Sequence, residues 1–186
     1  MEYYSRGNIK YVNFTSLERE DLLTILDWRN REEVRSMMRS NTIINEKTHF
    51  NFVEKLKQSD TSYYWLVTRK DRPCGVVYLQ FELDQQRDKA EWGYYLSPSF
   101  IGTGVGLEVG FEAIHMFFQE FKLKELRGYV KKQNQQNLQL QHLFGFRQEE
   151  RVSSDDLIGF VMFEGDYGNL ENEFKSFRRK LIRNTK

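Results

Sequence analysis

Between Ile101 and Gly106 the chain reads Ile-Gly-Thr-Gly-Val-Gly, so that three of its twelve glycines fall within five residues. An extended run ending near Leu96 precedes this loop. An apolar stripe at helical spacing follows it, made of Leu107, Gly110, Phe111, Ile114, Phe117, Phe118 and Phe121. A strand, a glycine-rich turn and a helix starting near Val105 together place unencumbered backbone N–H groups at a helix N-terminus. The unsatisfied amides and the helix dipole there favour an anion. Side chains at the glycine positions would hold a phosphate away from those amides, so the expected ligand is a phosphate. A Walker loop is excluded, because Gly106 is followed by Leu107 and Glu108 rather than by lysine and a hydroxyl residue. The dinucleotide pattern needs an early βαβ unit, whereas this loop follows three strands that read as an antiparallel meander. A tight strand-to-helix connection without a ligand is the other reading.

The elements that must position this loop are legible along the chain. Ile9 to Phe14 reads as a first strand, with Ser16 as the cap of a helix carrying Leu22, Ile25 and Leu26 and running to about Trp28. Arg31 to Met38 reads as a short second helix. Asn45 caps a third, whose Phe50, Phe52, Val53 and Leu56 point mostly one way. From Ser62 the pattern becomes short and β-rich, in strands near 62–70, 74–83 and 89–97 separated by turn residues at 71–73 and 84–88. After the long helix, "ELRGYVK" is a strand, Asn134 to Phe144 a helix and "LIGFVMFEG" a late strand. The expectation is one domain over 1–168 and a charged, helical tail over 169–186.

Composition narrows the function classes. Lys and Arg number 28 against 27 Asp and Glu, for a net charge of +1 with both signs interspersed, which argues against a nucleic-acid partner. No run approaches the roughly 18 apolar residues of a membrane span, and Met1 to Arg6 carry no apolar signal segment. The single cysteine, Cys74, cannot pair internally, and nothing near it suggests a nucleophile. The expectation is a cytoplasmic protein with no membrane partner and no metal site; a homodimer through an exposed sheet edge is left open.

On these residues the chain resembles the GNAT acetyltransferases, whose loop Arg/Gln-x-x-Gly-x-Gly/Ala holds the pyrophosphate of acetyl-CoA. Ile101, Gly102, Thr103, Gly104, Val105 and Gly106 occupy that loop here, with Ile101 replacing the usual Arg or Gln. The family's second signature, Asn-x-x-Ala-x-x-Leu-Tyr-Glu-Lys-x-Gly-Phe, is matched at Asn134, Leu140, Gly145 and Phe146. The resemblance implies an α/β (α+β) GNAT fold, a mixed, mostly antiparallel sheet flanked by helices, and acetyl-CoA as cofactor. Within the superfamily "LDWRNREEVRSMM", "EKTHFNFVEKLKQS" and "AEWGYYLSP" look like the PseH group, which acetylates the 4-amino group of a UDP-linked amino sugar on the route to pseudaminic acid. Gln80 and Phe81 depart from that group's Thr-Lys pair. A protein, peptide or small-amine acetyltransferase and a non-catalytic acyl-CoA-binding module are the alternatives.

By that resemblance Arg29, Met38, His49 and Tyr95 line the nucleotide-sugar pocket. Arg29 suits a diphosphate through its bidentate fork, and a helix-end salt bridge to Glu32 or Glu33 is the competing assignment. The fold presents the amides of Tyr94 and Leu96 to the thioester carbonyl, Glu91 is the expected base and His49 its rival. Asn134 and Asn137 share a helical face with Gln141, a polar surface facing the cofactor. Gln141 stands where the family has a tyrosine that protonates the coenzyme A thiolate, and an amide has no such proton to give. His142, Tyr94, Tyr95 or Tyr129, or solvent, would then supply it.

Overall fold

The computed structural model describes residues 1–82, 86–149, 156–170 and 172. Strands β1 (Tyr3–Arg6) and β2 (Ile9–Asn13) lead into helices α1 (Arg19–Asn30), α2 (Glu32–Arg35) and α3 (Glu46–Lys57). Strands β3 (Ser62–Arg69), β4 (Arg72–Phe81) and β5 (Lys89–Leu96) form the meander. Then come α4 (Val105–Gln119), β6 (Glu125–Lys131), α5 (Gln135–Leu143), β7 (Arg147–Glu149) and β8 (Leu157–Phe163). A helical segment continues over 164–170. Of the charged tail expected from residue 169, residue 171 and residues 173–186 lie outside the described residues.

The strands form one sheet in the order β1-β2-β3-β4-β5-β6-β8-β7. Every pairing is antiparallel except β5 with β6, which is parallel. Strand alternation splits the side chains between two cores. Trp65, Val67, Val77, Leu79 and Trp92 pack with α4 on one face, whereas Leu66 and Val76 pack with Leu22, Ile25, Val53 and Leu56 of α1 and α3 on the other. The two layers of helix therefore meet opposite faces of β5. Gly110 lets α5 lie close on α4, since a Cβ there would come 2.2 Å from the ring of the fully buried Phe144.

Several local expectations are corrected. Ser16 ends a short 3-10 turn, with Asn13 accepting from the Thr15 amide, and α1 begins only at Arg19. The second helix holds four residues rather than eight, leaving 36–45 without helix or strand. β1 was missed, although Gly7 with a φ of 61° and the adjoining Asn8 form the two-residue hairpin signal. The turn before β4 is Lys70-Asp71, both at positive φ, and Pro73 sits inside the strand beside a register shift. Proline cannot donate to the ladder, so the pairing gives way there.

Candidate active site

The parallel pair β5–β6 is joined from Lys89↔Glu125 to Glu91↔Arg127 and no further, although both strands continue for several residues. Beyond that point they splay apart. The Ser97 amide donates to the Cys74 carbonyl at 2.9 Å and the Glu82 amide to the Lys89 carbonyl at 3.0 Å. Odd-numbered backbone groups of β5 therefore face β4. By alternation the amides of Tyr94 and Leu96 face the opening toward β6, the direction an oxyanion requires.

This opening is the mouth of a cleft of about 570 Å³. Of the residues expected to form the site, Tyr94, Tyr95, Leu96, Ile101, Gly102, Gly104, Gly106, Asn134, Asn137, Gln141 and Met38 line it. Gly102 and Gly104 hold φ values of 77° and 80°, and an added Cβ would meet nothing within 4 Å at either. The amides of Ile101, Thr103 and Leu107 are taken by turn carbonyls. Those of Gly102, Gly104, Val105 and Gly106 have no backbone acceptor among the described residues. Open space over free amides at the start of α4 fits a phosphate, and with it the diphosphate of acetyl-CoA. Thr103 instead donates its hydroxyl to the Phe100 carbonyl at 2.7 Å, and Val105 is buried in the core.

Asn134 caps α5 by accepting from the Asn137 amide at 3.1 Å, and Asn137 in turn accepts from Gln141 Nε2 at 3.0 Å. Gln141 is 3% exposed, and its Oε1 has no partner among the described residues. Its donor is thus committed to α5 and its acceptor is left for a donor in the cleft. Tyr94 stacks on Trp92, with ring centroids 5.5 Å apart, and burial holds its hydroxyl well above the ordinary tyrosine range. Burial likewise pushes the Cys74 thiol up to about 12, which leaves it no role as a nucleophile at neutral pH.

Arg29 and Glu91, also expected in the site, are not among the residues that line the cleft and lie on the α1–α3 face of the sheet. Arg29 donates through Nη2 to the Ser40 carbonyl at 2.8 Å; Glu32 pairs with Arg35 instead. Arg29 Nη1 is buried without a partner among the described residues, and burial lowers the guanidinium pKa. Glu91 is held by Arg39 at 2.9 Å and accepts from the Tyr78 hydroxyl at 3.3 Å. Gly93 allows this, because a Cβ there would stand 2.6 Å from the Tyr78 ring.

His49 does not line the cleft. The residue is 6% exposed, and its ring packs edge-on against Phe14 and Phe50. Burial lowers its pKa, opposed by a hydrogen bond to the backbone of Leu22. A histidine whose folded pKa lies below its unfolded value of 6.5 contributes full stability above pH 6.5 and loses it as pH falls through the window below. Unfolding midpoints in urea should therefore fall on acidification from pH 7 to 5, with a slope from this residue of at most about 1.4 kcal/mol per pH unit. His49→Leu should flatten that dependence; an unchanged profile would mean the ring titrates normally.

Arg39, Tyr78 and the wall residues Glu33, Val34 and Met37 were not anticipated. Arg39 lies in the aperiodic 36–45 segment, where no local pattern marks a residue for the cleft. Among the described residues no helix is long and apolar enough to cross a membrane.

The family model described as an acetyltransferase (GNAT) domain matches residues 12–147. A Campylobacter jejuni protein named acetyltransferase PseH is 31% identical over 132 residues, which are 71% of this chain and 80% of that protein. Among solved structures, the C. jejuni N-acetyltransferase PseH in complex with acetyl coenzyme A aligns with a TM-score of 0.67 at 25% identity, covering 83% of this chain and 98% of that one. Spermidine N-acetyltransferase from Vibrio cholerae, in complex with CoA and spermine, aligns with a TM-score of 0.76 at 17% identity over 87% of this chain and 99% of that one, a likeness of fold alone.

Proposed function

The chain belongs to the GNAT acetyltransferases and is an acyltransferase using acetyl-CoA, and from that premise we propose that it acetylates a primary amine of a nucleotide-linked amino sugar, in a pathway of the pseudaminic-acid type. The observation that carries the reading is the division of the cleft by the sheet. Free amides lie on the α4–α5 side, and Met38, Tyr95 and Arg39, the last paired to the Glu91 carboxylate, line the α1–α3 side. The first suits the diphosphate of the acyl donor. Arg29 does not line the cleft, but its charge, with Nη1 buried and unpartnered among the described residues, favours a second diphosphate on that side.

Acetyl-CoA supplies an activated acyl group. The amides of Tyr94 and Leu96 face its carbonyl oxygen as negative charge builds there. Glu91 takes a proton from the acceptor ammonium, directly or through one water, so that the nitrogen lone pair is free to attack. The departing thiolate takes its proton from solvent, which also receives the second proton that the nitrogen sheds as the tetrahedral intermediate collapses, because Gln141 holds no transferable proton. The roughly 10²–10⁴-fold that a positioned acid supplies is forgone at this step.

The test is calorimetric titration with UDP beside thiol-release assays using acetyl-CoA with a UDP-4-amino sugar and with spermidine. Saturable UDP binding and turnover of the sugar are expected. Turnover of spermidine with no affinity for UDP would discard the nucleotide-sugar acceptor while keeping the transferase.

A further inference from the structure

Resting on that reading only for the acceptor being an amine, we propose that Glu91, Tyr78 and Tyr129 form a cation subsite for the acceptor's ammonium group, and that Arg39 fills it until the acceptor arrives. Arg39 reaches Glu91 Oε1 through Nη2 at 2.9 Å. The Tyr78 hydroxyl donates to the same oxygen at 3.3 Å. The Arg39 guanidinium carbon also lies 4.5 Å from the centroid of the Tyr129 ring. A second ring, Tyr64, stacks on Tyr78 with centroids 5.2 Å apart and supports that wall. A carboxylate with an aromatic face within reach of the same cation is the environment a cation seeks, through direct charge and through the ring quadrupole. The protein's own guanidinium occupies it here.

The two partners differ in freedom. The Arg39 side chain is 50% exposed and the Glu91 side chain 23% exposed. Glu91 is fixed on a paired strand, whereas Arg39 belongs to the irregular 36–45 segment. That segment is tied down by its backbone, because Lys131 Nζ donates to the Ser36 carbonyl at 3.0 Å and Arg29 to the Ser40 carbonyl at 2.8 Å. The segment therefore holds its place across the splayed strands while the Arg39 side chain rotates out toward solvent. An incoming ammonium exchanges one cation for another at Glu91, so that the partly buried carboxylate is paired before and after the exchange. The acceptor would thus bind in its protonated form and lose its proton to the carboxylate that recognised it.

The probe is butylammonium chloride, titrated into the full chain and followed by the amide ¹H–¹⁵N shifts of Gly93 and Tyr129. With its resident competitor gone, Arg39→Ala should bind the probe more tightly than the native chain by up to about fivefold, the factor expected for removing a partly exposed ion pair. The double variant Arg39→Ala/Glu91→Gln should lose that gain. Equal or weaker binding by Arg39→Ala, or a gain that survives Glu91→Gln, would overturn the subsite. Unfolding midpoints by tryptophan fluorescence establish that each variant is folded. The probe needs neither nucleotide nor turnover, so failure of the UDP-sugar assay leaves this measurement standing.

Discussion

Replacing Gly104 by valine should weaken acetyl-CoA binding by about 10- to 100-fold while leaving kcat at saturation within a few-fold of the native value. Two costs combine. Gly104 is the residue before α4 and sits at φ 80° and ψ −7°, a left-handed conformation that costs an L-residue about 1–2 kcal/mol and a β-branched one more. In addition, a Cβ there enters space in which no protein atom stands within 4 Å, and the methyls beyond it would keep a diphosphate from the amides of Val105 and Gly106. Relief of backbone strain would shift the loop and scatter those amides further. Calorimetry with coenzyme A and KM for acetyl-CoA both report the effect. A Gly104→Val variant with native affinity would put the diphosphate somewhere other than the start of α4.

Glu91→Gln is expected to lower kcat by about 10²-fold or more, within the range that a positioned base contributes. The change preserves side-chain volume and leaves an oxygen able to accept from Tyr78, so the wall of the cleft should persist. It removes the negative charge that holds Arg39 at 2.9 Å and that would take the acceptor's proton. Glu91 projects from the α1–α3 face of β5, whereas Tyr94 and Leu96 project from the α4–α5 face. KM for acetyl-CoA should therefore hardly move, and the split between the two constants distinguishes a base from a structural residue. A native kcat in Glu91→Gln would leave the deprotonation to water and remove Glu91 from the chemistry.

The two variants address the halves of the site that were most and least legible in the sequence. Glycine spacing between Ile101 and Gly106, followed by a clean helical stripe, pointed to the proposed donor loop, because backbone amides at a helix start depend on chain conformation alone. The Asn134, Asn137 and Gln141 face was readable for the same reason, being a periodicity of three and four within one helix. On the acceptor side Arg29 and Glu91 were named through the family resemblance, but Arg39 and Tyr78 were not, because these four come from α1, the 36–45 segment, β4 and β5, and no spacing along the chain registers them against one another. Arg39 had no pattern to mark it. His49 was brought forward by its type and by resemblance, whereas packing against Phe14 and Phe50 took it out of the cleft wall.

What the sequence by itself determined was the order of the main elements, β1 and β7 excepted, and a glycine-rich helix start suited to an anion, while resemblance to the family marked Gln141 as standing where a tyrosine is usual. The first two are consequences of backbone geometry and residue type within single elements. Only the tertiary structure decided that β5 and β6 part after Glu91 and Arg127, opening a passage between two faces of one sheet. It alone also placed an arginine from an irregular segment on the carboxylate beside that passage. Strand splay and cross-element ion pairs arise from how separate elements pack, and that is fixed by the sum of the core contacts rather than by any stretch of residues read alone.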